Sequence, residues 1–527
     1  MRAFLICMTW MLIGALAPSG AWAAGATGAW FGLKIPPDRE RRSRAHRAAY
    51  ENPDLAPLSL RLPADEDAYT GIGGAEVYRY LEDIIRITER ERPPEEKYWG
   101  RIAGSMAERA VAEYIATRFG EFGLDAVRTE PVDGGPQWWP IAWAVTLIGE
   151  PNYGEGTRDY TFTSAFPAPQ LGVGAMNISS LEAELVFVGL GHPVDLLRRD
   201  LRGKIAVVRA EMQPDPFFQT ARGHIEEIVH AGAVGVVTIM DAPGNHQYVL
   251  EQLGSPDVPC FVLGGDDGRF IMEAMVAAGE SRPLRMRLRM EAEVRDAWQG
   301  ENVVGLIPGE GDEYIILTAH LDGFFAAAND NAGGLAAMLA LARFFSEAAR
   351  DHALQRNLLF VGTSAHHEFS DGSRAFIAAH PDILEKTALV FNIEHPSSIQ
   401  SYYRGALKLE RVTVPHQLIV TTGQGKRSLI VSNGNPLLIS IYKEAVDRYG
   451  MNVDAMVERR PTGDAFDFFL ARKTVVQILD ANLWFHSSGD RIDTIHPNGL
   501  ERATRLYAYV LDRIDRASWD ELAKRAR

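Results

Sequence analysis

Residues 313–350 of the 527-residue chain, EYIILTAHLDGFFAAANDNAGGLAAMLALARFFSEAAR, contain the elements that decide the fold. The first part, EYIILTAHLD, is a largely apolar run that leads into His320, which predicts a buried strand. After a loop of small residues, NAGGLAAMLALARFFSEAAR has the length and composition of a long helix. A buried strand followed by a helix is the repeating unit of an α/β sheet.

The same alternation continues toward the C-terminus. RNLLFVGTSA, TALVFNIEH and KTVVQILDA are apolar runs that predict further strands, with helical patterns between and after them. This order predicts a mixed, mostly parallel sheet with helices on both faces. Residues 402–432 interrupt the order with a β-rich pattern that resembles a hairpin, whose role the sequence leaves open.

The remaining regions give the domain organisation. Residues 24–74 are expected to form an extended lead-in, and residues 75–167, which begin with two helical stretches, are assigned with 293–527 to the main domain. Residues 168–292 contain short β-rich runs around a helix, so they predict a compact inserted α/β module.

The N-terminus has the pattern of a secretory signal. Arg2 precedes an apolar run, and small residues at Ala21 and Ala23 predict cleavage that removes residues 1–23. The alternative is an uncleaved anchor, although the run is short for a bilayer span of about 20 residues. We therefore expect a secreted or periplasmic protein without stable membrane insertion, in which Cys260 is the one remaining cysteine and cannot form an intrachain disulfide.

The net charge of −15 argues against general binding to nucleic acid or to anionic membranes. Composition is that of a globular protein, with 46% hydrophobic residues. Neither number decides the oligomeric state, and a homodimer stays open.

Polar side chains collect where the predicted strands end. The first strand runs into His320 and Asp322, and Asp330 follows at the start of the long helix; the later positions are His366, His367 and Glu368, then Glu394 and His395, then His486 and Asp490. In an open α/β sheet, ligands bind beyond the carboxyl ends of the strands. A single His or Asp there is usually a cap or a solvated loop residue, but five such loops together predict a metal site.

Imidazole and carboxylate ligands suit a pair of zinc ions. Asp330 is the natural bridging ligand, because it is short and lies at a helix start. Asp322 could hold the imidazole of His320 and fix its tautomer.

The stretch TAHLDGFFAAANDNAGG, together with the order of the later motifs, resembles the zinc exopeptidase family that includes aminopeptidase Y, bacterial leucyl aminopeptidases and glutamate carboxypeptidase II. GDAFDFF at residues 463–469 is similar to another stretch of that family. The resemblance implies an α/β sheet between helices, two zinc ions and a peptide or amino-acid-conjugate substrate. Residues 168–292 resemble the protease-associated domain that many of these enzymes carry.

By this resemblance, His320, Asp330 and Glu394 would hold one ion, and Asp330, Glu368 and His486 the other. The family has a Glu as general base immediately before the Glu ligand, where this chain has His367. We therefore predict that His367, or alternatively His366, manages the proton, with Asp322 as the other catalytic residue. The assignment assumes a one-residue deletion before Gly372; strict spacing would instead select the pair His366–His367 and leave Glu368 outside.

The prediction is a secreted or periplasmic metallo-exopeptidase, most simply an aminopeptidase. Two alternatives remain: a one-zinc acyl transferase resembling glutaminyl cyclases, and a non-catalytic binding ectodomain of the same fold. A full set of five ligands favours the peptidase over both.

Overall fold

The fold is described from a computed structural model. It describes residues 66–149, 158–168, 176–197, 199–210, 223–242, 244–279, 281–397, 399–409, 412–424, 427–451, 453–458, 460–480, 484–495 and 497–524. The predicted signal sequence and most of the lead-in lie outside these residues.

The main sheet has eight strands and a parallel centre. In spatial order the strands are Val453–Glu458, Arg427–Val431, Val475–Asp480, Thr387–Ile393, Tyr314–His320, Asn357–Thr363, Trp298–Ile307 and Asp125–Gly134. The four central strands, from Val475–Asp480 to Asn357–Thr363, run parallel to one another. Their carboxyl ends therefore meet at one edge, as the sequence predicts.

Helices cover both faces of this sheet. They are Gly74–Arg90, Met106–Phe122, Gly333–Ala348, Asp371–Ala379, Pro381–Glu385, Pro436–Tyr449, Asp464–Leu470, Pro497–Arg516 and Trp519–Ala523. The predicted long helix, Gly333–Ala348, is buried on nearly all sides over its first ten residues, because it packs in the larger apolar core. Phe376 and Phe468 belong to a separate apolar cluster with Ile316 and Val390 of the sheet.

The helix Met106–Phe122, the second of the two predicted helical stretches, shows how local chemistry sets the boundaries. The Ser105 side chain accepts a hydrogen bond from the Glu108 N–H and caps the N-terminus of Met106–Phe122. Gly123 ends the helix with φ of 81°, a left-handed conformation that glycine adopts without strain.

A second unit, residues 137–295, contains its own eight-stranded sheet. In spatial order its strands are Tyr160–Thr161, Gln137–Leu147, Arg285–Arg295, Ile178–Phe187, Ile205–Ala210, Gly235–Met240, Cys260–Leu263 and Phe166–Pro167. Its helices are Pro193–Leu196, Ile225–His230 and Gly265–Ala278. The boundaries predicted at 168 and 292 fall inside this unit, because Gln137–Leu147 pairs antiparallel with Arg285–Arg295 across the predicted insert.

Smaller elements complete the described chain. Gly100–Arg101 pairs with Gly323–Phe324, and Ile399–Leu409 pairs with Val412–Gln424 in a hairpin. Short helical turns occupy Glu66–Tyr69, Glu251–Leu253 and Ile492–Thr494, whereas Ala328–Ala332 is a kinked segment in which Asp330 and Asn331 have non-helical dihedral angles. Cys260 is a buried free thiol whose pKa is raised to about 12 by burial. Within the ranges given above, no helix combines the length and apolar character needed to cross a bilayer.

Candidate metal centre

Asp330 lies at the centre of the candidate site. One of its oxygens, Oδ1, is 3.1 Å from Nε2 of His320 and 3.0 Å from Nε2 of His395. The other, Oδ2, is 3.3 Å from Nε2 of His486 and 3.5 Å from Nε2 of His367. Asp330 therefore joins two groups of three side chains, and each group has two imidazoles and one shared carboxylate.

The four imidazoles come from the carboxyl ends of the four central strands. His320 ends Tyr314–His320, and the other three lie in the loops that follow Asn357–Thr363, Thr387–Ile393 and Val475–Asp480. All five side chains are buried or nearly so. The convergence predicted for this edge is observed for His320, Asp330 and His486.

Asp490 and Arg101 hold the loop that carries Asp330. The Asp490 carboxylate accepts the backbone N–H groups of Asn329 and Asp330 at 2.9 and 3.0 Å. Arg101 is fully buried and donates to the backbone carbonyls of Leu321, Ala326 and Ala327. Arg101 is not predictable from the sequence, because nothing in its short local pattern indicates a contact more than two hundred residues away.

The buried carboxylates of the site favour positive charge on the groups beside them. Burial alone would raise the pKa of the Asp330 carboxyl, but His395, His320 and His367 beside it hold that pKa well below its usual range. Burial likewise lowers the pKa of His320, yet Asp322 and Asp330 outweigh it and raise the pKa to about 9. These carboxylates stabilise whatever positive charge lies among them, so protons and metal cations compete for the same ring nitrogens.

The Asp322 side chain contacts His367 most closely, whereas the sequence analysis predicts His320. Its Oδ2 is 2.7 Å from Nδ1 of His367, and its carboxylate also accepts the backbone N–H groups of His366 and His367. The Nδ1 of His320 instead lies 3.0 Å from the backbone carbonyl of Asp322 and 3.5 Å from its carboxylate. Asp322 therefore orients His367 so that Nε2 faces Asp330 and His486.

Glu368 is the predicted ligand that the structure does not bring to Asp330. Its carboxylate instead accepts a hydrogen bond of 3.2 Å from Nε2 of Gln137. Burial raises the pKa of Glu368 to about 7. His367 occupies the position expected for Glu368, which is the arrangement that strict spacing from Gly372 gives.

Glu394 and His395 show a similar one-residue difference. The predicted ligand Glu394 accepts hydrogen bonds from Asn392 and Gln477 at 2.8 and 2.7 Å, and its Oε1 is 3.8 Å from Nε2 of His366. It groups with His320 and His366, whereas His395 is the neighbour of Asp330. The sequence shows both residues at this strand end, and Glu394 is the predicted ligand because the resemblance implies Asp or Glu at that position.

His366 lies beside the two groups around Asp330 but belongs to neither of them. Its ring stacks on His320 with centroids 4.0 Å apart, and its Nδ1 is 3.5 Å from Oδ1 of Asp464. Asp464, in the GDAFDFF stretch, also accepts a hydrogen bond of 2.5 Å from the Thr363 hydroxyl. The His366 ring is thus held between a carboxylate and a neighbouring imidazole.

Gly463 leaves the space that His366 fills. It has φ of 56°, and a Cβ built on it would lie 2.2 Å from Cε1 of His366. We expect Gly463→Ala to lower the thermal unfolding midpoint, because the backbone strain alone costs about 1–3 kcal/mol. The matched control is Gly120→Ala in the helix Met106–Phe122, where a Cβ meets no atom within 4 Å and alanine is favoured. A midpoint for Gly463→Ala equal to that of the control would contradict this reading.

The residues fit zinc. Bonds of about 2.0–2.1 Å in tetrahedral geometry place neighbouring ligand atoms about 3.3 Å apart. The separations around Asp330 lie between 3.0 and 3.5 Å. His320 Nε2 and Asp330 Oδ1 are buried and lie 3.1 Å apart without the geometry of a hydrogen bond, and Nε2 of His367 lies 3.1 Å from Nε2 of His486. A shared cation explains why these polar atoms converge.

Residues 302–511 match the model of peptidase family M28. This part of the chain is a peptidase family M28 domain. The match includes every residue of the two groups around Asp330 and confirms the predicted exopeptidase family. The resemblance of the second unit to a protease-associated domain stays a prediction.

Solved structures share the fold of the M28 domain and of most of the chain. A peptidase M28 precursor from Shewanella amazonensis is 16% identical with a TM-score of 0.64, covering 91% of this chain and 98% of that one. The zinc aminopeptidase BSAP from Bacillus subtilis is 17% identical with a TM-score of 0.55, covering 88% and 98%. An aminopeptidase from Aneurinibacillus sp. strain AM-1 is 19% identical with a TM-score of 0.52, covering 84% and 94%.

These likenesses confirm the predicted mixed α/β architecture. At such identities they show the fold alone. A search of curated proteins found no match to the chain.

Proposed function

We propose that this chain is a zinc-dependent aminopeptidase that binds two zinc ions, secreted or periplasmic, with a peptide or amino-acid-conjugate substrate. The observation that carries the proposal is the position of Asp330, whose two oxygens each face two imidazole nitrogens within 3.5 Å. The family match and the fold shared with zinc aminopeptidases support it.

One ion would be held by His320, Asp330 and His395, and the other by Asp330, His367 and His486. Zinc bound by these residues would polarise a substrate carbonyl and lower the pKa of water. This set replaces Glu368 and Glu394 of the sequence-based prediction with His367 and His395, because those imidazoles are the groups nearest Asp330.

His366 is the group that we assign to proton transfer. Its Nδ1 lies 3.5 Å from Oδ1 of Asp464, a carboxylate that favours this ring orientation by its charge, and its Nε2 lies 3.8 Å from Oε1 of Glu394. A neutral imidazole there accepts a proton from the attacking water and passes it to the leaving amine. His367, the first choice of the sequence analysis, has both nitrogens engaged, by Asp322 on one side and by Asp330 and His486 on the other.

The test is the metal content of the purified protein together with turnover of a panel of aminoacyl and acyl-amino-acid substrates. We expect two zinc ions and release of N-terminal residues. Two ions without turnover would support the binding-module alternative, and a single ion with acyl transfer would support the cyclase-like one.

Metal removal gives a second prediction. Imidazoles suit zinc, whereas carboxylate-rich sites suit magnesium, calcium and manganese. We therefore expect chelation to abolish activity and to lower the thermal unfolding midpoint, because ligand at 100 times its Kd stabilises the folded state by about 2.7 kcal/mol. Zinc should restore both properties. Equal recovery with magnesium would contradict a site with four imidazoles.

A further inference from the structure

The second unit contacts the candidate metal centre through the short segment 247–249. Tyr248 forms an antiparallel bridge with Ser487, next to the proposed ligand His486. The Ser488 N–H donates to the Gln247 carbonyl at 2.9 Å, and the Gln247 N–H donates to the Ser488 hydroxyl at 3.0 Å. The loop of the M28 domain that carries His486 is thus paired with the second unit along its backbone.

Val249 contacts His486 itself. Its N–H donates to the His486 carbonyl at 2.9 Å, and its own carbonyl lies 3.2 Å from Nδ1 of the His486 ring. A carbonyl can only accept, so Nδ1 carries the proton in this bond, and in the neutral ring Nε2 is the nitrogen with the lone pair. That Nε2 is the atom 3.3 Å from Oδ2 of Asp330.

Apolar packing fixes the same loop. Trp484 and Phe485 are buried in an apolar core of the second unit together with Tyr248. His486 has φ of 55°, a conformation that is strained for a side chain other than glycine and that persists only where the surroundings impose it. Among the described residues, the contacts from segment 247–249 bracket this strained residue.

We propose that segment 247–249 of the second unit is a positioning element for His486, so that binding of the second metal ion depends on the second unit. The inference rests on the proposed two-metal function. Outer partners that orient a ligating histidine typically change metal affinity by 10–100-fold when removed. The second unit then contributes to the metal centre through this segment.

The test is Val249→Pro in the full chain, with bound zinc measured at graded free zinc concentrations. Proline has no N–H and cannot donate to the His486 carbonyl. We expect the affinity for one of the two ions to fall about 10–100-fold. The other ion, held by His320, Asp330 and His395, should keep its affinity.

The matched control is Ile228→Ala, a fully buried residue of the same core whose truncation leaves both bonds of Val249 in place. It should lower the unfolding midpoint without selective loss of one ion. If Val249→Pro does not fold, Ser488→Ala removes the acceptor of the Gln247 N–H and should weaken the same ion about 3–10-fold.

The outcomes separate the two proposals. A folded variant that binds both ions as tightly as the wild type, which itself binds two, overturns the positioning role and leaves the function intact. Wild-type protein that binds no zinc overturns the proposed function and this inference with it. Equal weakening of one ion by Ile228→Ala also overturns the positioning role, since general destabilisation would then explain the loss.

Discussion

Asp330→Asn is expected to remove both zinc ions and to lower kcat/KM by at least about 10³-fold. Each group around Asp330 depends on one of its oxygens, at 3.0–3.5 Å from the four imidazoles. The amide keeps the shape of the side chain but has neither the negative charge nor a second acceptor. A loss of about 4 kcal/mol in transition-state stabilisation corresponds to this change in rate. Zinc content and steady-state kinetics on the same preparation measure both effects.

The control is Asp312→Asn, which makes the same chemical change at a side chain that is 79% exposed and pairs with Lys386 on the surface. Exposed ion pairs contribute little, so this variant should keep both ions and full activity. If Asp330→Asn retained two ions and more than a tenth of the activity, Asp330 would not be the shared ligand. The proposed two-metal function would then fail.

The part of the site that was predictable from sequence depends on regular structure. Parallel strands deliver their carboxyl ends to one edge, so a residue that ends a buried strand can be placed without knowing the loops. His320 is the last residue of its strand, and Asp330 lies just before the helix Gly333–Ala348. Both converge in the structure as the sequence analysis expects.

The part that was not predictable lies in loops where the backbone reverses. In the loop after Asn357–Thr363, Ala365, Phe369 and Ser370 have positive φ of 58°, 61° and 59°. The position of a residue in the sequence does not predict which way its side chain points in such a loop, because each residue with positive φ changes the direction of the backbone. The prediction of Glu368 depends on the resemblance and on an assumed one-residue deletion before Gly372. The loop instead presents His367 to Asp330, as strict spacing from Gly372 gives.

The other difference has the same cause. His395 has φ of 45° immediately after the strand Thr387–Ile393, so its imidazole, and not the Glu394 carboxylate, lies next to Asp330. The difference between the predicted and observed boundaries of the second unit has another cause. Gln137–Leu147 pairs with a strand more than a hundred residues later, and no local pattern reports such a partner.

His366→Gln should separate proton transfer from metal binding. We expect kcat to fall about 10²–10⁴-fold, the usual contribution of a general acid or base, while both zinc ions stay bound. The ring faces Asp464 and Glu394 and belongs to neither group around Asp330, so its loss leaves all five proposed ligands in place. The measurement is kcat together with zinc content.

The comparison with His367→Gln decides which histidine has which role. That change removes a proposed ligand held by Asp322, so it should release one ion, and added zinc should restore part of the activity. His366→Glu supplies a carboxylate, the group that the resemblance implies at the base position, and should recover activity that His366→Gln loses. If His366→Gln kept wild-type kcat and His367→Gln kept both ions while losing turnover, the assignments would be reversed. His367 would then be the proton-transfer group, as the sequence first indicated, and the second ion would lack one of its proposed ligands.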